Sequence, residues 1–278
     1  MADSKLNEER GMIWEIIEGD CIDIMSKMDN GIVDLTVTSP PYDNMRNYGQ
    51  SAFSWGESIW KPILKEIHRI TKQGGVLVWV VGDATIKGCE TGTSFKQALY
   101  AIEIGFNLHD TMIYKKNGTG ACGSNLCYWQ TFEYMFIFSK GTPNTVNRLT
   151  NEKPRTKGGV KTGRITKNGV QKIECRSDAG EKKQIRNNIW EYNVGFCSGD
   201  DKTEHPAVFP EQLAEDHILS WSKKGDLIFD PFTGSGTTGK MAVINERNFI
   251  GIEREPFYFD IACNRIDKVT PNQPRVNG

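Results

Sequence analysis

The chain has 278 residues and a net charge of −1, with 38% hydrophobic and 25% charged residues, a composition that fits a globular protein able to bury a sizeable core. No run of eighteen apolar residues occurs, so no membrane span is expected, and the polar start MADSKLNEERG lacks the apolar core of a secretion signal. Seven scattered cysteines suggest no disulfide framework and the four histidines show no metal-ligand spacing, so a reduced cytoplasmic setting is expected, without a metal.

In chain order, Met12 to Glu18 reads as a strand stopped by Gly19-Asp20-Cys21, and Ile22 to Met28 as a turn or two of helix. Val33 to Thr38 is a second strand, and it runs into Ser39-Pro40-Pro41-Tyr42. Proline lacks the N–H of a strand ladder, fixes its own φ and pushes the preceding residue into extended geometry. The SPPY stretch should therefore be a stiff, extended rim at a strand end. Glu57 to Thr71 has helical periodicity, with Ile59, Ile63, Ile67 and Ile70 on one face. Gly74-Gly75 end it, and Val76 to Val81 is an unbroken apolar strand closing at Gly82-Asp83, where Asp83 reads as a turn residue. Ser94 is a candidate N-cap for a helix to Ile104, and Phe106 to Tyr114 and Tyr134 to Ser139 are strands.

The next stretch departs from the rest. Arg148 to Arg186 holds twelve Lys/Arg against four Asp/Glu, a net +8, which leaves −9 for the remainder. It is poor in large apolar residues and carries five glycines. Such a run is either a solvated loop or a basic lobe that neutralises phosphates, and composition leaves both readings open. Beyond it, Pro210 to Ser220 is helical, Leu227 to Phe229 a strand, Thr237 to Asn245 a helix, Phe249 to Ile252 a strand and Phe257 to Ile266 a closing helix.

Strands that alternate with helices, and that read as continuous apolar runs, argue for an α/β fold with a mostly parallel sheet covered by helices on both faces. Ligands gather at the carboxyl ends of such strands. Gly19-Asp20, the SPPY rim, Gly82-Asp83 and Asp230-Pro231-Phe232 should therefore line one crevice.

Residues 227 to 239, LIFDPFTGSGTTG, form a strand, a glycine-rich turn and a helix start. Gly234, Gly236 and Gly239 have GxGxxG spacing, and the next strand ends at Glu253, 23 residues after Asp230, where an acid can hold a ribose diol. Only 25 residues follow Glu253, too few for a second mononucleotide-binding half, and the loop has no Walker lysine. An adenosine cofactor without a pyrophosphate fits better, and S-adenosylmethionine is the candidate.

With these motifs in order, the chain resembles the amino-directed DNA methyltransferases in which the catalytic motif precedes the cofactor motif, the beta arrangement. Ser39-Pro40-Pro41-Tyr42 matches their catalytic tetrapeptide, and Phe232-Thr233-Gly234-Ser235-Gly236 their Phe-x-Gly-x-Gly loop. Gly19-Asp20 and the segment His205 to Leu213 also match, and the likeness runs from about Ile13 to Ile266. The resemblance implies a Rossmann-like S-adenosylmethionine-dependent methyltransferase fold, with a catalytic half at 12–140, a basic target-recognition insertion at 141–200 and a cofactor half at 201–270. It implies cofactor contacts by Asp20, Phe209, Asp230, Pro231, Phe232, Gly234, Gly236, Thr237, Thr238 and Glu253. Double-stranded DNA would be the substrate, met by Lys153, Arg155, Lys157, Lys161, Arg164, Lys172, Arg176 and Arg186. A cognate restriction endonuclease and a homodimer are partners left open, in a prokaryotic or phage setting.

An exocyclic amino nitrogen is a poor nucleophile because its lone pair is delocalised into the ring. Acceptors that hold its two N–H bonds out of the ring plane would localise the pair toward the methyl donor. The Ser39 hydroxyl and the Pro40 carbonyl are placed to be those acceptors, held rigid by the prolines, and Tyr42 would stack on the extruded base. A leading serine leans toward cytosine N4, since adenine enzymes of the family more often begin with Asp or Asn. An adenine-N6 enzyme, an RNA or protein-amide methyltransferase, and a cofactor-sensing nucleic-acid-binding protein are the alternatives.

Overall fold

The computed structural model describes residues 13–41, 55–117, 126–154, 163–166, 169–172, 183–193 and 209–270. The first half runs β1 (Trp14–Glu18), α1 (Cys21–Met25), β2 (Val33–Thr38), α2 (Glu57–Ile70), β3 (Thr71–Val81), β4 (Thr85–Ile86), β5 (Cys89–Glu90), α3 (Thr93–Glu103), β6 (Asn107–Asn117) and β7 (Phe132–Ser139). The second half runs β8 (Thr150–Pro154), β9 (Gly163–Thr166), β10 (Gly169–Lys172), β11 (Lys183–Ile185), β12 (Ile189–Asn193), α4 (Glu211–Trp221), β13 (Leu227–Asp230), α5 (Thr237–Ile244), β14 (Asn248–Glu253) and α6 (Pro256–Val269). Among the described residues no helix is long and apolar enough to cross a membrane.

The chain divides into two compact units, Arg148–Asn187 and the remainder. The larger unit is built on one sheet in the order β1-β14-β13-β2-β3-β7-β6-β12. Within it β7 alone opposes its neighbours, pairing antiparallel with β3 and β6, while every other ladder is parallel. The sheet is covered on both faces, as the continuous apolar strands require. Leu77, Trp79 and Val81 of β3, with Phe136 and Phe138 of β7, join α1, α2 and α3 in one core. The alternate residues Val76, Val78, Val80, Met135 and Ile137 are equally buried on the opposite face. There α4 approaches, with His217 Nε2 3.2 Å from Met135 Sδ, and α4, α5 and α6 contact one another in turn.

This order fixes where a ligand can enter. From β2 the chain crosses to β3 on one side, and from β13 it crosses to β14 on the other. The connections leave the β2/β13 pair in opposite directions, and a crevice opens at the carboxyl ends of those two strands.

Two local expectations need correction. Ser94 is not the N-cap of α3: Gly92 occupies that place in the left-handed region (φ 63°), and Ser94 lies buried in the first turn. Its N–H and hydroxyl both donate to Asp83, so an acid at the end of β3 anchors the helix start from outside it. The break at Gly74-Gly75 is also no gap before a strand. α2 passes directly into β3 at Thr71, and the glycines form an irregularity within it, fastened to Lys140 by paired backbone bonds of 2.6 and 3.0 Å.

The smaller unit contains strands where the sequence pattern offered none. β8 pairs antiparallel with β11, and β9 with β10. The unit closes at Asn187, because Ile189–Asn193 returns to the large sheet as β12 beside β6.

Candidate active site

The carboxyl ends of β1, β14, β13, β2 and β3 lie side by side along one edge of the sheet, and they bring the expected strand-end residues together. β2 delivers Ser39, half-buried, then Pro40, buried, and Pro41, partly exposed; Tyr42 lies outside the described residues. β13 delivers Asp230 (4% exposed), followed by buried Pro231 and half-buried Phe232.

Two hydrogen bonds fasten β2 just ahead of the rim, one to the end of β13 and one to the first turn of α5. Thr38 Oγ1 donates to Asp230 Oδ1 at 2.6 Å, and Thr238 Oγ1 donates to the Val37 carbonyl at 3.3 Å. The same Asp230 oxygen accepts the Phe232 N–H at 3.0 Å, while the Asp230 carbonyl accepts the Thr233 hydroxyl at 3.0 Å. Burial pushes the Asp230 carboxyl up to about 6, against these hydrogen bonds, which favour the charged form.

The glycine loop is shaped by steric need. Gly236 caps α5 with φ 80°, and a Cβ there would stand 2.9 Å from Cα and Cβ of Ala262 in α6. Gly239, in the first turn of α5, leaves room for the Phe249 ring of β14 and for Ile266 of α6. Two of the loop amides are turned inward. Gly234 N–H donates to Glu253 Oε2 at 2.8 Å, and Gly236 N–H donates to the Thr233 carbonyl at 2.9 Å. A phosphate cradle would leave such groups aimed at the ligand. Here they are engaged by protein, which suits a nucleoside held by close approach.

Glu253, at the end of β14, also accepts the Glu255 N–H at 2.9 Å, and burial raises its carboxyl above the ordinary range. β1 comes alongside, with Gly19 N–H donating to the Glu253 carbonyl at 2.9 Å. Asp20 follows as the N-cap of α1, accepting from the N–H groups of Ile22 (2.8 Å) and Asp23 (3.4 Å). Phe209 stands partly buried before Pro210, the N-cap of α4.

Sequence reasoning placed three contributors nowhere in the site. Thr38 is the bridge from the rim to Asp230. Trp55, buried ahead of α2, meets the Phe232 ring edge-on at 5.7 Å. Arg265, on α6, donates to the Ser235 carbonyl and the Thr237 hydroxyl. A cation between Ala262 and Ile266, on the apolar stripe of a helix, was the available signal for the last.

In the smaller unit, Lys153 lies on β8, Arg164 on β9 and Lys172 on β10, while Arg186 follows β11 and its N–H donates to the Leu149 carbonyl at 2.9 Å. Arg155, Lys157, Lys161 and Arg176 fall outside the described residues.

Known proteins share this arrangement. The chain is 50% identical over 252 residues to the orphan methyltransferase M.BamHII of Bacillus amyloliquefaciens, covering 88% of this chain and 93% of that protein. It is 29% identical to the type II methyltransferase M.HinfI of Haemophilus influenzae, covering 92% and 69%. Among solved structures, the PvuII DNA methyltransferase, described as cytosine-N4-specific, superposes with a TM-score of 0.69 at 20% identity, covering 94% of this chain and 91% of that one. A Thermus thermophilus protein described as a DNA modification methylase, solved with S-adenosyl-L-methionine, superposes at 0.63 with 22% identity, covering 94% and 96%. These two likenesses speak for the fold. Residues 33–264 match the N6/N4 DNA methylase model, a span that holds both the proline rim and the glycine loop. The chain belongs to the DNA methylase family and is an S-adenosylmethionine-dependent, amino-directed DNA methyltransferase.

Proposed function

We propose that the enzyme methylates the amino group of one base within a specific duplex sequence, cytosine N4 before adenine N6, with Ser39, Pro40, Pro41 and Tyr42 as its catalytic residues. The carrying observation is the Thr38–Asp230 hydrogen bond, which ties the strand leading into the proline rim to the loop proposed to hold the cofactor. In this reading the Ser39 hydroxyl and the Pro40 carbonyl accept the two amino N–H bonds of a flipped base, and Tyr42 stacks on it. The nitrogen lone pair attacks the methyl carbon in line. The carbon–sulfur bond breaks, S-adenosylhomocysteine leaves, and the nitrogen gives up one proton to solvent.

Asp230 faces the ammonium group of the methionine part, Glu253 the ribose hydroxyls and Asp20 the adenine end. Phe209, Pro231, Phe232, Gly234, Gly236, Thr237 and Thr238 form the walls. The preference for cytosine rests on the leading serine. A solitary enzyme in the cytoplasm is favoured over one paired with an endonuclease, because the relative that is 50% identical is described as an orphan methyltransferase. Light scattering on the purified enzyme tests for the homodimer.

The segment 141–200, centred on the compact unit Arg148–Asn187, is assigned to target recognition, with 12–140 and 201–270 as catalytic and cofactor halves. Radiolabelled methyl transfer to duplex DNA, followed by nucleoside analysis and methylome sequencing, tests the whole reading. N4-methylcytosine at one recurring sequence is expected. N6-methyladenine would overturn the base choice, and label in RNA or protein alone would overturn the substrate.

A further inference from the structure

Behind the glycine loop lies a buried ionic network that the proposed chemistry does not use. Glu211, in the first turn of α4, accepts at Oε1 from Lys240 Nζ of α5 and from Arg265 Nη2 of α6, each at 2.8 Å. The three side chains are 13, 11 and 3% exposed. The other arm of the same guanidinium, Nη1, donates to the Ser235 carbonyl at 2.6 Å, to the Ser235 hydroxyl at 3.1 Å and to the Thr237 hydroxyl at 3.2 Å. One planar fork thus spans the segment after Phe209-Pro210 and the turn of the glycine loop.

Stability alone is a weak reason for this arrangement. Desolvating such ions costs about as much as their attraction returns, and well-packed apolar side chains of the same volume often do better. What the fork supplies is geometry. A rigid guanidinium can grip acceptors on two separate segments at fixed spacing, which a flexible ammonium does poorly. The gripped loop needs such a hold, because Gly234 and Gly236 both sit at positive φ with no Cβ to restrict them.

We propose that Arg265 is a positioning residue for cofactor binding. It fixes the Ser235–Thr237 turn and, through Glu211, holds that turn at a set distance from the Phe209-Pro210 segment, so that the cleft is shaped for the cofactor before it binds. This rests on the reading of the loop as the S-adenosylmethionine site. Preorganisation of this kind acts on the binding step and leaves the chemical step alone.

The test compares wild type with Arg265→Lys, which keeps the charge and loses the fork, and with Glu211→Gln, which keeps the shape and weakens the grip. S-adenosylmethionine affinity is measured by calorimetry, and KM and kcat by methyl transfer to DNA, on protein confirmed as folded by circular dichroism. Arg265→Lys is expected to raise both Kd and KM for the cofactor on the order of tenfold, with kcat at saturation within about twofold. Glu211→Gln should shift the same constants in the same direction by less. If the variants melt earlier yet keep wild-type Kd and KM, the network is only a structural pin and the proposal is overturned. A fall in kcat at unchanged KM would overturn it equally. If Arg265→Lys does not fold, Glu211→Gln decides, and wild-type constants there would refute the coupling. A wild-type protein that fails to bind S-adenosylmethionine would instead remove the cofactor assignment itself.

Discussion

Thr38 donates its hydroxyl proton to Asp230 at 2.6 Å, joining the last residue of β2 to the last residue of β13 across 192 positions of sequence. The accepting oxygen also takes the Phe232 N–H, so one buried atom fixes both the strand ahead of Ser39 and the first turn of the glycine loop. A shift of Asp230 is therefore transmitted to both motifs.

The charge state of Asp230 gives a pH prediction. Its carboxyl titrates near 6 in the fold and near 3.8 in the unfolded chain, so the folded state binds the proton more tightly. The associated stability is fully present below pH 3.8 and is lost as pH rises through 6, an upper bound of about 3 kcal/mol. Asp230→Asn should therefore raise the melting temperature of the cofactor-free protein at pH 8 and change it little near pH 4. A cofactor ammonium would favour the charged form, so wild-type affinity should weaken by roughly tenfold per unit as pH falls below 6. Asp230→Asn should bind weakly, with a flatter pH profile. Calorimetry at pH 5, 6 and 7 checks this, and a wild-type affinity independent of pH would refute the ammonium contact.

Gly236→Ala tests the loop by sterics. The substitution forces a side chain into the left-handed region and against the backbone of α6. Gly225 has a similar φ (83°) but open space around a Cβ, so Gly225→Ala is a matched control for the conformational cost alone. That cost is about 1 kcal/mol. Gly236→Ala should lose about twice as much or more in denaturant unfolding, and cofactor affinity should fall with it. Equal losses in the two variants would mean that the loop relaxes away from Ala262.

Much of this site was legible because its signals are local. Two consecutive prolines stop a strand wherever it lies, and glycines spaced as in GSGTTG report a turn that side chains cannot enter. The Thr38–Asp230 bond was hidden because it depends on sheet order, which sets β2 beside β13, and no local pattern carries that. β12 was missed for another reason. Trp190 and Tyr192 are buried at period two, but Ile189 on the exposed phase blurs the alternation in IWEYN. The strands of the smaller unit, such as TNEKP and KQI, have almost no apolar alternation at all.

Ser39→Ala and Tyr42→Ala should separate catalysis from cofactor binding. Both residues are assigned to the target base, so calorimetric affinity for S-adenosylmethionine should stay within about twofold while kcat falls by on the order of a hundredfold for Ser39→Ala. Tyr42→Ala should mainly weaken productive binding of the flipped base, where stacking contributes about 1–3 kcal/mol. A wild-type methylation rate in either variant would remove its assigned role.

The basic unit gives the prediction with the clearest physical signature. Arg148 to Arg186 carries +8 in a chain whose remainder is −9, so attraction to phosphate should concentrate there. Neutralised phosphates release counterions, and the logarithm of affinity falls with the logarithm of salt by about 0.9 per contact. Replacing Lys153, Lys157, Lys161, Lys172 and Lys182 with alanine should weaken duplex binding and flatten that slope by up to about 4.5 if all five make contacts. Phosphate contacts position the protein without reading sequence, so the methylated sequence should stay the same and kcat at saturating DNA should hold. Base choice should respond instead to residues able to reach base edges, among them Gln171, Arg176, Gln184, Arg186 and Asn187. A solvated loop of equal charge would behave differently. The fivefold variant would then bind duplex with wild-type affinity and an unchanged salt slope, and the recognition surface would have to lie elsewhere on the chain.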